Sequence, residues 1–429
     1  MDLKIKINYK TMGLKIKKNN KPILLFLAIL IIWNDFLPNF IYYIGIIGIT
    51  LFGFFAYRHS KKIVYNFALG WYFLYFLLMV FECFRGGPAI NIIFTLIPTL
   101  LEIYIIVITH PDDQDLIDFI QYIAYAGFVL CLYLIIRYHD QLGFYRFGNN
   151  LIGTSIINSV GLSNYLICII CAQIWCTFTQ NNFWVKIISL FSVIITAILI
   201  LFTGVRRAIF LALLYVLILV ILPNGINVKK RVKIIIMLVI AASMGLYLII
   251  TVPGINKILG SRILVFFDSS ARQKDFSVRA RFDLQFAAIN AFLEKPLFGR
   301  GYAATRNYFL TTNGLLFNTS HPHNNYLNLM VIGGLPLLFL YYYYPICSLI
   351  WLFKQKPPLK SPQFYLLSYC IIVLISDFES SSFNLSVFNF FIGLMIYTKM
   401  ISKAEKVHHQ NDVLQNIYGI DNYKIPQEI

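Results

Sequence analysis

Residues 193–222 read VIITAILILFTGVRRAIFLALLYVLILVIL, an almost continuous apolar run broken only around Thr203-Gly204-Val205-Arg206-Arg207. A helix needs about 20 residues to cross a hydrocarbon core. The run is therefore the end of one membrane span and the start of another, turned at Thr203-Gly204, with two arginines at the junction. Outward from it the same pattern recurs, and its lack of period-2 alternation argues against a β-barrel. Apolar spans are expected at residues 22–40, 41–57, 63–81, 89–109, 116–138, 160–179, 184–202, 206–223, 232–252, 324–353, 363–378 and 383–400. The predicted fold class is all-α, a polytopic membrane helical bundle of about twelve transmembrane helices with one long extracytoplasmic loop. Composition agrees, because 59% of the residues are hydrophobic and 13% charged, against about a quarter charged in soluble proteins.

The chain divides accordingly into a cytoplasmic basic leader (1–21), transmembrane helices 1–9 (22–252), a large extracytoplasmic loop (253–322), helices 10–12 (323–400) and a cytoplasmic tail (401–429). The leader carries Lys15, Lys17, Lys18 and Lys21, but Trp33-Asn34-Asp35 follows where a signal peptidase requires small residues, so an uncleaved anchor is expected. Short basic segments at Arg58–Lys62, Lys229–Lys233, Lys354–Lys360 and Lys399–Lys406 fall on one side under the twelve-span count, which makes that side cytoplasmic. The acidic Asp112-Asp113-Gln114-Asp115 falls there too. A net charge of +17 sits largely in the leader and inner loops, where anionic lipid accounts for it and nucleic acid need not be invoked. Of the seven cysteines, Cys131, Cys168, Cys171, Cys176, Cys347 and Cys370 lie in or at the ends of apolar spans and imply no disulfide framework. Cys168-x-x-Cys171 has no second pair and no nearby histidine.

Arg206 and Arg207 at the outer end of a span defy the positive-inside bias and cost a few kcal/mol if buried. Either both snorkel to headgroups or an anion offsets them. Within the loop, Phe282, Phe286, Ile289 and Leu293 make an apolar stripe at helical spacing, stopped by Pro296, as in a helix lying on a membrane surface. On it Arg279 has Asp283 at i+4, whereas Arg281 has no acid at helical spacing and is the better phosphate ligand. Pro296-Leu297-Phe298-Gly299-Arg300-Gly301 follows as a glycine-dependent turn. His323 stands where the loop meets the next span, before a helix expected to continue through Gly333-Gly334 to Tyr344. Its imidazole can exchange a proton near neutral pH, although an interfacial structural histidine is the plainer reading.

Taken together, Thr203-Gly204-Val205-Arg206-Arg207-Ala208, Arg281 ahead of Pro296–Gly301, and His323-Asn324-Asn325-Tyr326-Leu327 with Gly333-Gly334 resemble the O-antigen ligase and polymerase family of membrane glycosyltransferases (the Wzy/WaaL type). The similarity spans roughly Leu190–Leu340. Val205 departs from the family's usual serine and Arg207 from its usual small residue, while Arg206 keeps the arginine register. Gln285 replaces the tryptophan often found four residues after the loop arginine, and counting back from Pro296 selects Arg281 over Arg279 as that arginine.

The resemblance implies metal-independent transfer of glycan from an undecaprenyl-diphosphate carrier to an acceptor hydroxyl, in the cytoplasmic (inner) membrane with the site facing outward. It implies no cofactor. Under it, Arg206 and Arg281 stabilise the departing diphosphate, and His323 is a general base or orients the acceptor. Arg207, Arg279, Arg300, Asn324 and Glu379 are candidate substrate-binding residues; Asp268, Asp275, Asp283, Glu294, Asp377 and Glu379 are rival carboxylates to His323, with Glu379 ranked first among them. The implied partners are the lipid-linked donor, a glycan acceptor, membrane lipid and other polysaccharide-assembly proteins such as a flippase or chain-length regulator. Repeat-unit polymerase is favoured over ligase because polymerases are numerous and divergent. A lipid-linked-oligosaccharide flippase is the reading from another class, but charges gather at the boundary and not at midplane on broken helices.

Overall fold

The computed structural model describes residues 20–57, 67–85, 90–142, 146–148, 151, 158–223, 228–256, 260, 276–311, 321–380, 385 and 387–399, and among these the regular structure is helical. In chain order the helices are α1 (Lys21–Trp33), α2 (Asn39–Tyr57), α3 (Phe67–Arg85), α4 (Ile90–Thr109), α5 (Asp113–Arg137), α6 (Ser159–Thr179), α7 (Phe183–Thr203), α8 (Arg206–Ile221) and α9 (Val228–Thr251). After a single turn at Pro253–Ile255 come α10 (Phe276–Glu294), α11 (Tyr302–Phe309), α12 (Asn325–Gln355) and α13 (Pro362–Ser376). The last is α14 (Val387–Lys399).

Six helices, α3 to α7 and α12, are long and apolar enough to cross a membrane, with three shorter apolar helices beside them. The chain is a multi-pass membrane protein. Against twelve expected spans, six meet that length and composition among the described residues. The 22–40 span is corrected: α1 stops at Trp33, followed by a 3-10 turn at Asn34–Phe36. The run stays apolar there, but Asn34-Asp35 and Pro38 cannot continue a helix cheaply.

Helix ends are written in the sequence at several points. Asn158 and Asn182 cap α6 and α7 by accepting from backbone amides, which fills donors that no helical carbonyl reaches. The acidic Asp112–Asp115 segment forms a reciprocal capping box at the start of α5, where negative charge is favoured. At that end Asn20 also donates to Asp115 and Lys21 pairs with Asp118.

Helix α6 is buried along nearly its whole length and packs on α5, α7 and α8, while α8 packs on α13 and α12 on α3. Cys168 and Cys171 are free thiols in its interior. The loop helix α10 lies on α12 through Leu284, Ala287, Ala288 and Ala291, which meet Val331 and Phe309. Its large apolar stripe, Phe282, Phe286, Ile289 and Leu293, points away from the protein and is exposed.

Helix α12 does not continue smoothly through Gly333-Gly334. At Gly334 the backbone turns to φ 70° and ψ −160°, a region glycine alone visits readily. Two consequences follow from the hydrogen-bond register. The Leu335 amide is diverted to Pro296 O at 3.0 Å, and Pro336 has no N–H to offer Ile332 O. Val331 O and Ile332 O instead accept from the amides of Arg300 and Gly301, both at 2.8 Å. The Pro296–Gly301 turn is therefore docked backbone to backbone on the break in α12. A Cβ on Gly299 would lie 2.5 Å from Ile332 O, and one on Gly334 would strike Leu297 O, so both glycines are required by close approach.

Candidate active site

The junction between α7 and α8 is a tight corner. Gly204 takes the left-handed conformation, φ 63° and ψ 19°, the usual way to end a helix with a glycine. Thr203 Oγ1 receives the Val205 amide at 3.3 Å, and Arg146 Nε donates to Thr203 O at 3.1 Å. This corner fixes which of the two arginines turns inward. Arg206 is the first residue of α8 and partly exposed, whereas Arg207 is buried, with 8% of its surface accessible.

Arg207 donates to Asn164 Oδ1 at 2.5 Å and to Ser376 O at 3.4 Å, and its Nε has no partner. No carboxylate lies within ion-pair distance of it among the described residues, although Glu379 and Asp377 are near enough for their charge to be felt. A buried guanidinium held only by neutral oxygens is costly, since desolvation is repaid only by full pairing. The snorkelling alternative does not describe Arg207.

The His323–Leu327 stretch can be taken residue by residue. Asn324 caps α12, its Oδ1 accepting the Leu327 amide at 3.0 Å while its Nδ2 donates to Phe378 O at 3.3 Å. Asn325 pins the start of α12 to the end of α13. Its amide donates to Asp377 O at 2.8 Å, and its Nδ2 donates to Asp377 Oδ2 at 3.3 Å and to Tyr342 Oη at 2.7 Å. Tyr342 in turn donates to Asp377 Oδ2 at 2.6 Å. Tyr326 donates to Leu374 O at 2.9 Å and stacks on Tyr342. Leu327 packs against the loop-helix cluster. Four of the five residues thus build the corner, and His323 is the one whose ring the corner does not use.

His323 sits at φ 53°, a conformation rare for residues other than glycine and concentrated at functional sites. Its ring packs edge-on to that of His321 at 4.4 Å. Burial, followed by the charges of His321, Arg281 and Arg207, lowers its pKa from the usual 6.5 to about 3. His321 is lowered by burial as well. His323 is consequently a neutral imidazole across the physiological range, close enough to both Arg207 and Arg281 to feel their charge. Arg281 reaches the group from α10 and lies 3.9 Å from Glu379 Oε2, a loose pair with both side chains partly exposed, of the kind that contributes little by itself.

The structure therefore gathers Arg207, Arg281, His321, His323, Asp377 and Glu379 at one end of the bundle. Arg300 is engaged by Glu294 and lies over the Tyr308 ring at 4.4 Å. Asn324 has both polar atoms occupied in the corner. The side chain of Arg279, and with it the expected pairing to Asp283, lies outside the described residues. Three residues of the site carried no sequence signal: Asn164 on α6, Tyr342, and Arg85 at the end of α3. Arg85 donates to Gly299 O at 3.4 Å, to Ile332 O at 3.2 Å and to Phe298 O.

No curated protein matches the chain. Residues 191–342, which carry Arg207, Arg281 and His323, match the model of the Wzy_C family, O-antigen ligase.

Proposed function

We propose that this end of the bundle transfers a glycan from a polyprenyl-diphosphate carrier, undecaprenyl diphosphate in bacteria that use it, to an acceptor sugar hydroxyl, as a repeat-unit polymerase of a surface polysaccharide. The observation that carries the reading is Arg207: a buried cation with only neutral oxygens as hydrogen-bond partners and an unpartnered Nε, close enough to Arg281 and the neutral His323 for the charges to be felt. A diphosphate would supply the charge that the site lacks, and guanidinium forks suit its oxygens.

In the step proposed, the acceptor oxygen forms a bond to the anomeric carbon as the bond from that carbon to the diphosphate oxygen breaks. The diphosphate leaves with the electron pair, stabilised by Arg207 and Arg281, while the acceptor proton passes to the free nitrogen of His323. Arrival of the anion offsets the two arginines and so makes His323 more basic when the donor is bound. Arg206, partly exposed one residue away, is placed to meet the carrier's approach and not its leaving group.

The family description favours a second reading, transfer of a finished glycan to a lipid or protein acceptor. Supplying purified protein in liposomes with lipid-linked repeat units alone separates them. Lengthened glycan on the carrier supports polymerase, and transfer seen only after a different acceptor is added supports ligase. Movement of donor across the bilayer with no new glycosidic bond would refute both and favour the flippase reading.

A further inference from the structure

The break in α12 brings two segments into register: the turn after α10, which carries Arg281, and the helix that begins beside His323. Their mutual hold is a set of backbone hydrogen bonds, Arg300 N to Val331 O, Gly301 N to Ile332 O and Leu335 N to Pro296 O. The backbones approach this closely only because positions 299 and 334 are glycine, where an added Cβ would meet backbone carbonyls. This docking leaves Phe298 O and Gly299 O turned toward the outer end of α3, beside a shared Ile332 O. Arg85 fills that position. One guanidinium reaches Phe298 O and Gly299 O on the turn and Ile332 O on α12. Its charge is held in place by Glu82, which accepts from Nε at 3.0 Å and from Nη2 at 2.5 Å. Glu82 is 2% exposed, and a buried carboxylate of that kind needs its cation.

We propose that Arg85 is a positioning residue for glycan transfer: by joining the carbonyls of the Phe298-Gly299 turn to Ile332 of α12, it fixes the separation of Arg281 from His323. It touches none of the reacting atoms. Five donor positions in a rigid plane allow one side chain to meet three carbonyls and one carboxylate; lysine, with a compact ammonium, cannot reproduce that reach. Catalysis that depends on placement is sensitive to such supports, since misplacement of about 1 Å can cost about a hundredfold in rate.

The catalytic half of this inference rests on the function proposed above; the structural half does not. The test uses the full-length protein and two variants, Arg85→Lys and the double change Glu82→Gln with Arg85→Met, which leaves no unpaired buried charge. Amide exchange by mass spectrometry is followed for peptides covering residues 296–301 and 331–337, and turnover is measured with a lipid-linked repeat unit.

The expected result in both variants is at least tenfold faster exchange confined to those two peptides, with α6 unchanged, and kcat lowered about tenfold or more while KM for donor stays within about threefold. Wild-type exchange in either folded variant overturns the proposal, as does a loss of turnover without any change in exchange. Faster exchange in a protein whose wild type transfers no glycan would keep the Arg85 clasp and remove the function assigned to it.

Discussion

The guanidinium of Arg207 and the side-chain carbonyl of Asn164 lie 2.5 Å apart in the interior of the bundle, a cation answered by a neutral dipole. That relationship sets a conflict between stability and function. Replacing Arg207 with Met removes an unneutralised buried charge, and swaps of this kind are often neutral or stabilising by about 1–4 kcal/mol. The expected outcome is an apparent Tm at or above that of wild type with glycan transfer lowered at least a hundredfold. Arg206→Ala, by contrast, is expected to change transfer by less than tenfold. A destabilised Arg207→Met that keeps its activity would reverse the assignment.

His323 gives a prediction in pH. With a free-protein pKa of about 3 it does not titrate between pH 5 and 8, so kcat/KM should show no break near 6.5 that disappears in His323→Gln. The variant itself should lower kcat by about 10²–10⁴, the usual size of a proton-transfer contribution. Stability carries the opposite signature. The unfolded imidazole takes up a proton below about 6.5 and the folded one does not, so the stabilisation is complete above that pH. It is lost as pH falls toward about 3, at about 1.4 kcal/mol per unit for this group. Thermal unfolding of wild type between pH 7 and 4 should fall more steeply than that of His323→Gln.

Asp377 holds the corner from below, and Asp377→Asn tests it. Tyr342 and Asn325 both donate to the same oxygen, Oδ2, so asparagine can still accept both on its Oδ1 but loses the negative charge that strengthens them. A loss of about 1–3 kcal/mol is expected, together with reduced turnover; Tyr342→Phe, which removes only one donor, should cost less. Equal effects of the two changes on unfolding would contradict the network.

Much of the bundle was legible because the ends of apolar runs coincide with capping residues: expected spans 160–179 and 184–202 are helices Ser159–Thr179 and Phe183–Thr203. The face of α10 was only half legible. Its bulky stripe announced itself by period, but the surface that packs on α12 is mostly alanine, which carries little hydrophobic signal yet permits close approach. The sequence reading favoured Arg206 and the proposal rests on Arg207; one residue is a turn of about 100° about the helix axis, and the phase that buries Arg207 is set by the left-handed corner at Gly204. Arg85 was invisible for a different reason. Apart from Glu82, its partners are carbonyls of residues more than 200 positions away, and backbone oxygens leave no trace in residue type.

Gly334→Ala gives the sharpest structural test. Positive φ and the approach of Pro296 O to within 2.6 Å of an added Cβ both penalise it. It is expected to destabilise by more than the roughly 1–3 kcal/mol of a strained backbone conformation alone, and to abolish transfer. Gly245→Ala, where an added Cβ meets nothing within 4 Å, serves as the control expected to leave unfolding within about 1 °C of wild type.

The most direct measurement is the stoichiometry of polyprenyl diphosphate released against glycosidic bonds formed, by purified protein in liposomes given lipid-linked repeat units and no nucleotide or ion gradient. The account predicts one diphosphate released per bond in wild type and at least a hundredfold less of both products in Arg207→Met. Undiminished release and bond formation in that variant would contradict it.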